Sequence, residues 1–124
     1  MGKEQEYLGE YHYKVEPYGR IRLPIRLRQH YANGLAILYS SDRCLMLYPQ
    51  TETPEEARAI ITKPDGRGRV TLSRELREYA DIEDSAVFLV VGGYAQLWGE
   101  RPWQEELERE KREANGEHAQ SDCK

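Results

Sequence analysis

The chain has 124 residues, of which 39% are hydrophobic and 32% are charged, and its formal net charge is −4. A chain of this length forms one compact domain or two small halves that share a core, because two independent domains of that size would each bury too little apolar surface. No apolar run approaches membrane-spanning length, and the first residues contain no secretory apolar segment. We therefore expect a cytoplasmic protein that does not bind a membrane.

The charge is distributed unevenly along the chain. Residues 11–77 hold 12 Lys/Arg and 7 Asp/Glu, whereas residues 78–124 hold 5 and 12. Four arginines and no acidic residue lie between positions 20 and 30. The potential there should attract phosphate groups despite the negative net charge, although charge runs are more often simply solvated surfaces.

Turn formers and apolar periodicity predict the elements of the first half. In chain order these are a strand over 7–15, a turn at 16–20, a strand at 21–23, a helix over about 24–32, a hairpin of strands 36–39 and 43–48, and a short helix that begins at 53–56. Tyr7, Tyr11, Tyr13 and Val15 share odd positions, which places them on one face of the first strand.

The second half repeats this order. Its predicted elements are a strand over 59–63, a turn at 65–69, a strand at 70–72, a helix over 74–80 with Ser73 as its N-cap, and a hairpin of strands 86–91 and 94–98 around Gly92 and Gly93. A last helix is expected from Pro102 to about Ala114, followed by a disordered tail from residue 116. Trp98 and Trp103, an aromatic pair at the start of this helix, are expected to be exposed, and the helix is expected to need a partner surface.

The two halves match at an offset of 49 residues. This offset aligns Arg20 with Arg69, and it also aligns four further pairs, which are Gly19 with Gly68, Leu23 with Leu72, Leu27 with Leu76, and Arg28 with Arg77. Agreement at so many positions of one offset is rare by chance. The sequence therefore contains an internal repeat of about fifty residues.

The centre of each repeat is an acidic residue followed four positions later by an arginine. We call residues 16–20 the first loop, which contains Glu16 and Arg20, and residues 65–69 the second loop, which contains Asp65 and Arg69. A carboxylate at the entrance of a turn can hold the guanidinium in one direction and leave its other donors available for a phosphate or a base edge. A single such turn more often only stabilises itself, but two in register favour a binding role.

Neither a metal site, a cofactor nor an enzyme is suggested by the remaining residues. Cys44 and Cys123 form no CxxC pattern, and His12, His30 and His118 do not lie at metal-ligand spacing. No nucleophile and base are paired in the sequence, and no small-molecule substrate is implied.

Several motifs together resemble the MraZ family of bacterial transcriptional regulators, which is built from two SpoVT/AbrB-like repeats. The resemblance covers residues 7 to about 107. Its motifs are Tyr7-Leu8-Gly9 with Glu16 seven residues after the glycine, the acid-x-x-x-Arg pattern in both loops, Leu45-Met46-Leu47-Tyr48-Pro49, and Leu97-Trp98 followed by Trp103. Each motif is weak alone, but their order and spacing are specific.

The resemblance implies a fold and a function. The fold is a mainly-β (α+β) double-split β-barrel of the AbrB/MazE/MraZ kind, with repeats at residues 7–57 and 58–107 around one shared core and a charged helix end and tail at 108–124. The function is sequence-specific binding of double-stranded DNA at short tandem repeats in promoters of division and cell-wall genes, by a ring-like homo-oligomer associated with the nucleoid. The candidate DNA-binding residues are Glu16, Arg20, Asp65 and Arg69 from the family motif, with Arg22 and Arg67 added from their charge and position.

Two further interpretations stay open from the sequence. A MazE-type antitoxin, or a transition-state-like regulator, uses an AbrB-type fold and could bind a protein partner through the acidic segment after Glu100, although such proteins generally carry one repeat per chain. The fold could also serve as an oligomeric scaffold that does not bind DNA. Glu16 replaces the usual aspartate of the motif, so its contact with Arg20 should be less rigid.

Overall fold

The computed structural model describes residues 9–52 and 58–122, with side chains described as far as residue 114. Its elements are β1 (Gly9–Lys14), β2 (Arg20–Arg22), α1 (Ile25–Arg28), β3 (Leu35–Tyr39), β4 (Leu45–Pro49), β5 (Ile60–Thr62), β6 (Arg69–Thr71), α2 (Arg74–Tyr79), β7 (Ser85–Val91), β8 (Tyr94–Gly99) and α3 (Glu100–Asp122), with 3-10 turns at Pro17–Gly19 and Gln50–Glu52. This content confirms the predicted mainly-β fold class with short helices.

Both halves follow the same order of strand, loop, strand, helix and hairpin. The Ser73 hydroxyl accepts a hydrogen bond from the Leu76 N–H at 3.2 Å, which confirms the predicted N-cap of α2. The β7–β8 hairpin turns at Gly92, whose φ is 57°, as predicted. Helix α1 is shorter than the predicted 24–32, and the helix predicted to begin at 53–56 lies outside the described residues.

The strands of the two repeats are interlocked in one six-stranded antiparallel sheet. Its order is β1-β7-β8-β4-β3-β5, so β1 of the first repeat pairs with β7 of the second, and β5 of the second repeat pairs with β3 of the first. The two hairpins meet at the centre, where β4 pairs with β8. Strands β2 and β6 form a separate two-stranded ladder. Closure of these sheets into a barrel stays a prediction, as do the exact repeat boundaries.

Apolar residues from both repeats form one main core. The cluster includes Ile21 and Val70 from the β2–β6 ladder, Leu27 and Leu76 from the short helices, and Phe88 from the central sheet. The odd-numbered side chains of β1 are half-buried against this cluster, which confirms the face predicted from their alternation. Because each repeat contributes strands to the other's half of the sheet, the repeats share this core.

Helix α3 covers the other face of the sheet with a second apolar cluster. Trp103 packs there with Val87, Leu89 and Trp98, and the two indole rings lie 5.2 Å apart between centroids. The prediction that Trp98 and Trp103 are exposed is therefore wrong, since their exposed fractions are only 5% and 2%. Trp103, at the start of α3, therefore docks the helix on the sheet of its own chain. The partner surface that was expected for the narrow apolar stripe is not needed for this docking.

Helix α3 continues to Asp122, beyond the end predicted near Ala114 and through most of the segment predicted as a disordered tail. Ion pairs one turn apart stabilise such a polar helix, and the Arg109 guanidinium contacts both Glu106, three residues earlier, and Glu113, four residues later. In the described residues, no helix is long and apolar enough to cross a membrane.

We predict that α3 docking depends on Trp103. Substitution Trp103→Ala should lower the free energy of unfolding by about 3–5 kcal/mol, because it empties a fully buried indole site. Leu107→Ala is the matched control on the same helix; its side chain is 40% exposed, so the loss should stay below about 1 kcal/mol. Urea unfolding at one fixed protein concentration measures both. Equal losses in the two variants would contradict this docking mode.

Candidate nucleic-acid interface

The first and second loops are closed by the same backbone hydrogen bond, although only the first has a left-handed residue, Tyr18, before its turn glycine. The Glu16 N–H donates to the Arg20 carbonyl oxygen at 2.8 Å, and the Asp65 N–H donates to the Arg69 carbonyl oxygen at 2.9 Å. Each loop therefore closes on itself between its acidic residue and its arginine. The tight turn predicted from the sequence is confirmed in both repeats.

Two reciprocal backbone hydrogen bonds join the loops across the repeats. The Leu23 N–H donates to the Gly68 carbonyl oxygen, and the Leu72 N–H donates to the Gly19 carbonyl oxygen, both at 2.9 Å. Between these bonds, β2 and β6 pair antiparallel. The first and second loops therefore lie at opposite ends of this short ladder, each bonded to the segment that follows the other.

Two arginines pack against the turn glycines of the opposite repeat. A Cβ atom added to Gly68 would lie 2.6 Å from Arg28 Nε, and one added to Gly19 would lie 2.7 Å from Arg77 Nε. The φ angles of Gly19 and Gly68 are 73° and 76°, in the left-handed region that glycine adopts without steric cost. Glycine is required at both positions for its conformation and for this close approach.

Sequence reasoning gave Arg28 and Arg77 no role, although the 49-residue offset pairs them. Arg28 Nε donates to the Leu23 carbonyl oxygen at 3.3 Å, and Arg77 Nε donates to the Leu72 carbonyl oxygen at 3.1 Å. Each arginine thus contacts the chain just before its own helix and the loop of the other repeat. We interpret Arg28 and Arg77 as residues that position the loops. The sequence indicated this role only by aligning the two arginines at the 49-residue offset.

In the second loop, Asp65 holds Arg69 as the sequence predicted. One carboxylate oxygen accepts the backbone N–H groups of Arg67 and Arg69, both at 2.9 Å, and the other accepts from Arg69 Nε at 3.0 Å. These backbone hydrogen bonds, followed by those of the Arg69 side chain, lower the pKa of Asp65. Their stabilising effect is complete above the ordinary carboxyl pKa and is lost as the pH falls through the lowered folded-state value.

In the first loop, Glu16 does not hold Arg20, so the predicted side-chain contact is wrong. Glu16 Oε1 instead accepts from Arg69 Nη1 of the other repeat at 3.0 Å, and Glu16 Oε2 lies 4.0 Å from Arg22 Nε. The extra methylene of glutamate explains the difference, because it carries the carboxylate past its own turn. Arg20 Nε donates to the Pro17 carbonyl oxygen at 3.3 Å, and its guanidinium lies over the Tyr18 ring.

Arg69 is consequently fixed between carboxylates from both loops. We call Glu16, Asp65 and Arg69 the ion-pair cluster. The Arg69 side chain is only 16% exposed, and the hydrogen bond that it donates to Glu16, followed by the one that it donates to Asp65, raises the pKa of its guanidinium. Outside the cluster, Arg22 and Arg67 are exposed and Arg20 is half-buried. The structure thus brings all six candidate residues into one surface region, in which four arginines meet two carboxylates.

These features define a class of protein: a mainly-β chain of two interlocked repeats, each with an arginine-bearing loop that is bonded to the other repeat. A family model described as "MraZ protein, putative antitoxin-like" matches residues 57–124. Proteins named "Transcriptional regulator MraZ" match most of the chain. The chain belongs to the MraZ family.

Three relatives illustrate the extent of this similarity. The Corynebacterium diphtheriae protein is 32% identical, over 90% of this chain and 95% of its own length. The Mycolicibacterium smegmatis protein is 31% identical, over 80% of this chain and 85% of its own length. The Roseiflexus castenholzii protein is 29% identical, over 82% of this chain and 86% of its own length.

We predict that the loop glycines differ in how much they tolerate a methyl group. Gly19→Ala and Gly68→Ala should each lower the free energy of unfolding by about 1–3 kcal/mol, because alanine is strained at positive φ and its Cβ meets an arginine. Gly19→Ala should cost more, since its Cβ would also lie 2.8 Å from the Leu72 carbonyl oxygen, which is backbone. Urea unfolding at one protein concentration measures the loss.

Gly66→Ala is the matched control within the second loop. No atom lies within 4 Å of its added Cβ, so stability should change by less than about 1 kcal/mol. Removing the facing side chain with Arg28→Ala should relieve part of the Gly68→Ala loss, whereas Arg77→Ala should relieve less of the Gly19→Ala loss. Equal effects at all three glycines would contradict the described packing.

Proposed function

We propose that this protein is a sequence-specific DNA-binding transcriptional regulator that reads double-stranded DNA with its paired loops. The observation that carries the proposal is the reciprocal bonding that holds two arginine-bearing loops at the two ends of one short ladder. Guanidinium groups on a rigid support suit the fixed spacing of phosphates and guanine edges. The name of the relatives, transcriptional regulator, supports the same reading.

The six candidate residues divide into two roles in this proposal. Arg20, Arg22 and Arg67 supply the donors that reach phosphates or base edges. Glu16 and Asp65 position Arg69, which both links the loops and contributes donors that the two carboxylates do not use. Since carboxylates repel phosphate, the proposal requires that they stay paired with arginine in the complex.

The proposed regulator acts as a ring-like homo-oligomer in the nucleoid and binds short tandem promoter repeats of division and cell-wall genes. The buried tryptophan pair no longer supports assembly. Support comes instead from β5, a strand at the edge of the sheet, where Ile60 and Ile61 are 40% and 51% exposed. An apolar edge strand is a surface on which a second chain can pair.

The alternative is an antitoxin-like regulator whose acidic segment binds a protein. The family description contains the words "putative antitoxin-like", and α3 carries a strongly acidic sequence to its end. A protein partner that binds α3 while the loops show no salt-dependent affinity for any duplex would favour this alternative.

We predict that Arg20 and Arg69 carry DNA recognition. Arg20→Ala or Arg69→Ala should each weaken binding by about ten- to hundredfold per protomer contact, because a charge-assisted arginine contact is lost. In a multivalent complex the loss multiplies across subunits. The measurement is titration of folded variants, over a range of salt, against an operator selected from random DNA.

Arg101→Ala is the matched control, because Arg101 is an exposed arginine of α3 that lies 3.6 Å from Glu83, outside both loops. Its affinity should change little. Glu16→Ala and Asp65→Ala should act more gently than the arginine substitutions, since they loosen Arg69 without deleting it. Unchanged, equally salt-sensitive binding by the Arg20/Arg69 double alanine variant, with fold and assembly intact, would rule out these loops.

We also predict that the protein is an oligomer at tens of micromolar. Light scattering should give a mass several times that of one chain, and Ile61→Lys should reduce it by placing a charge on the apolar edge strand. Thr71→Lys is the control, because Thr71 is also exposed on a short strand but belongs to the β2–β6 ladder. A monomer for the unsubstituted chain would contradict the ring.

A further inference from the structure

Tyr18 stands apart from the other aromatic side chains because its ring is 83% exposed at the tip of the first loop. Among the described side chains, the Tyr18 ring contacts Arg20, whose guanidinium carbon lies 5.4 Å from the ring centroid. A tyrosine in this position gains little from burial. Packing within the chain therefore does not explain why an aromatic residue occupies the tip.

The backbone makes this residue choice more costly. Tyr18 has φ 66° and ψ 21°, in the left-handed region, and it is followed by Gly19 in the same region. Glycine or asparagine adopts this conformation more readily than tyrosine. Strained positions of this kind concentrate at functional sites.

The two loops differ at this position. The 49-residue offset aligns Tyr18 with Arg67, which is also exposed but is charged. The second loop therefore has an arginine at its tip and Arg69 in the ion-pair cluster, whereas the first loop has an aromatic ring at its tip beside Arg20. A neutral tyrosine brings no charge to phosphate. Beside its hydroxyl group, which can donate a hydrogen bond, it offers the apolar ring surface that an arginine tip lacks.

We propose that Tyr18 is a specificity-determining residue of the DNA-binding surface, and that its ring contacts the C5-methyl group of a thymine while Arg20 contacts an adjacent base edge or phosphate. The thymine methyl is the apolar group that the major groove presents to a protein, and it distinguishes thymine from the other bases. The ring also keeps the Arg20 guanidinium beside it through a cation–π contact. This inference rests on the proposed DNA binding and adds the chemistry of one base contact.

The test replaces single thymines of the selected operator with uracil, which lacks only the C5-methyl group. At one or more positions the unsubstituted protein should lose about fourfold in affinity per contact, which is the value of one buried methyl-sized group. Tyr18→Phe should show the same loss at the same position. Tyr18→Asn, which keeps the left-handed backbone accessible but removes the ring, should bind thymine and uracil operators equally.

Three controls make the result specific. Tyr18→Asn should leave the dependence of affinity on salt unchanged, whereas Arg20→Gln should reduce its slope by about one, as expected for one phosphate contact. Tyr39→Asn removes another exposed tyrosine, outside the loops, and should keep the uracil effect. The unfolding midpoint of Tyr18→Asn should be equal to or higher than that of the unsubstituted chain.

The outcomes separate this inference from the proposed function. If the unsubstituted protein binds no duplex, the proposed function fails and this inference fails with it. If it binds its operator but no thymine is sensitive to uracil, or Tyr18→Asn keeps the same sensitivity, the inference alone is overturned. The inference would also be overturned if Tyr18→Asn lowered the affinity for the operator and for unrelated DNA by the same factor. The contact of the Tyr18 ring would then carry no sequence information.

Discussion

The reciprocal hydrogen bonds between Leu23 and Gly68, and between Leu72 and Gly19, determine where the candidate interface lies. The loops are short and polar, so they cannot position themselves by burying apolar surface. A two-stranded ladder alone is only marginally stable in water. The β2–β6 ladder persists because Ile21 and Val70, which face each other in it, are both buried in the shared core. The three residue pairs of the β2–β6 ladder thus connect the packed core to the loops, so that core packing determines where the loops lie.

The hydrogen bonds that join the two loops are twofold symmetric, but the conformations of the loop tips and the side-chain contacts are not. Asp65 is short enough to accept from the N–H groups of its own turn, and Glu16 reaches instead to Arg69 in the other loop. One carboxylate from each loop therefore converges on a single arginine. In the proposed complex the net charge that attracts phosphate then comes from Arg20, Arg22 and Arg67, whereas Arg69, whose charge is compensated within the protein, contributes oriented hydrogen-bond donors to recognition.

Local chemistry explains what the sequence predicted well. The glycines of both turns, the Ser73 cap and the Gly92 hairpin each act within a few residues, and all were found from residue type and spacing. The internal repeat and the resemblance to the MraZ family likewise identified the loops. All six candidate residues lie together in the structure, but their role in binding DNA stays a prediction.

Long-range packing explains what the sequence did not give. The burial of Trp98 and Trp103 depends on α3 folding back over β7 and β8, which a narrow stripe of two apolar residues did not indicate. The partner of Glu16 depends on which strand lies beside β2, and Arg28 and Arg77 gain their role only once the repeats interlock. Helix α3 passes through Gly116, so the glycine there was a poor guide to where the helix ends.

The conformation of the first loop and the residue at its tip have different causes. Gly19 lies beneath Arg77, and its carbonyl oxygen accepts a hydrogen bond from the Leu72 N–H, so the β2–β6 ladder fixes the left-handed backbone of Gly19. The same ladder holds Gly68 in the second loop, where Arg67 is not left-handed, so the left-handed backbone of Tyr18 is particular to the first loop. Within the chain, asparagine or glycine would satisfy that turn at lower cost than tyrosine. The ladder therefore accounts for Gly19 but not for Tyr18, and the aromatic ring at the tip requires a reason that lies outside the folded chain, on the surface that the loop meets.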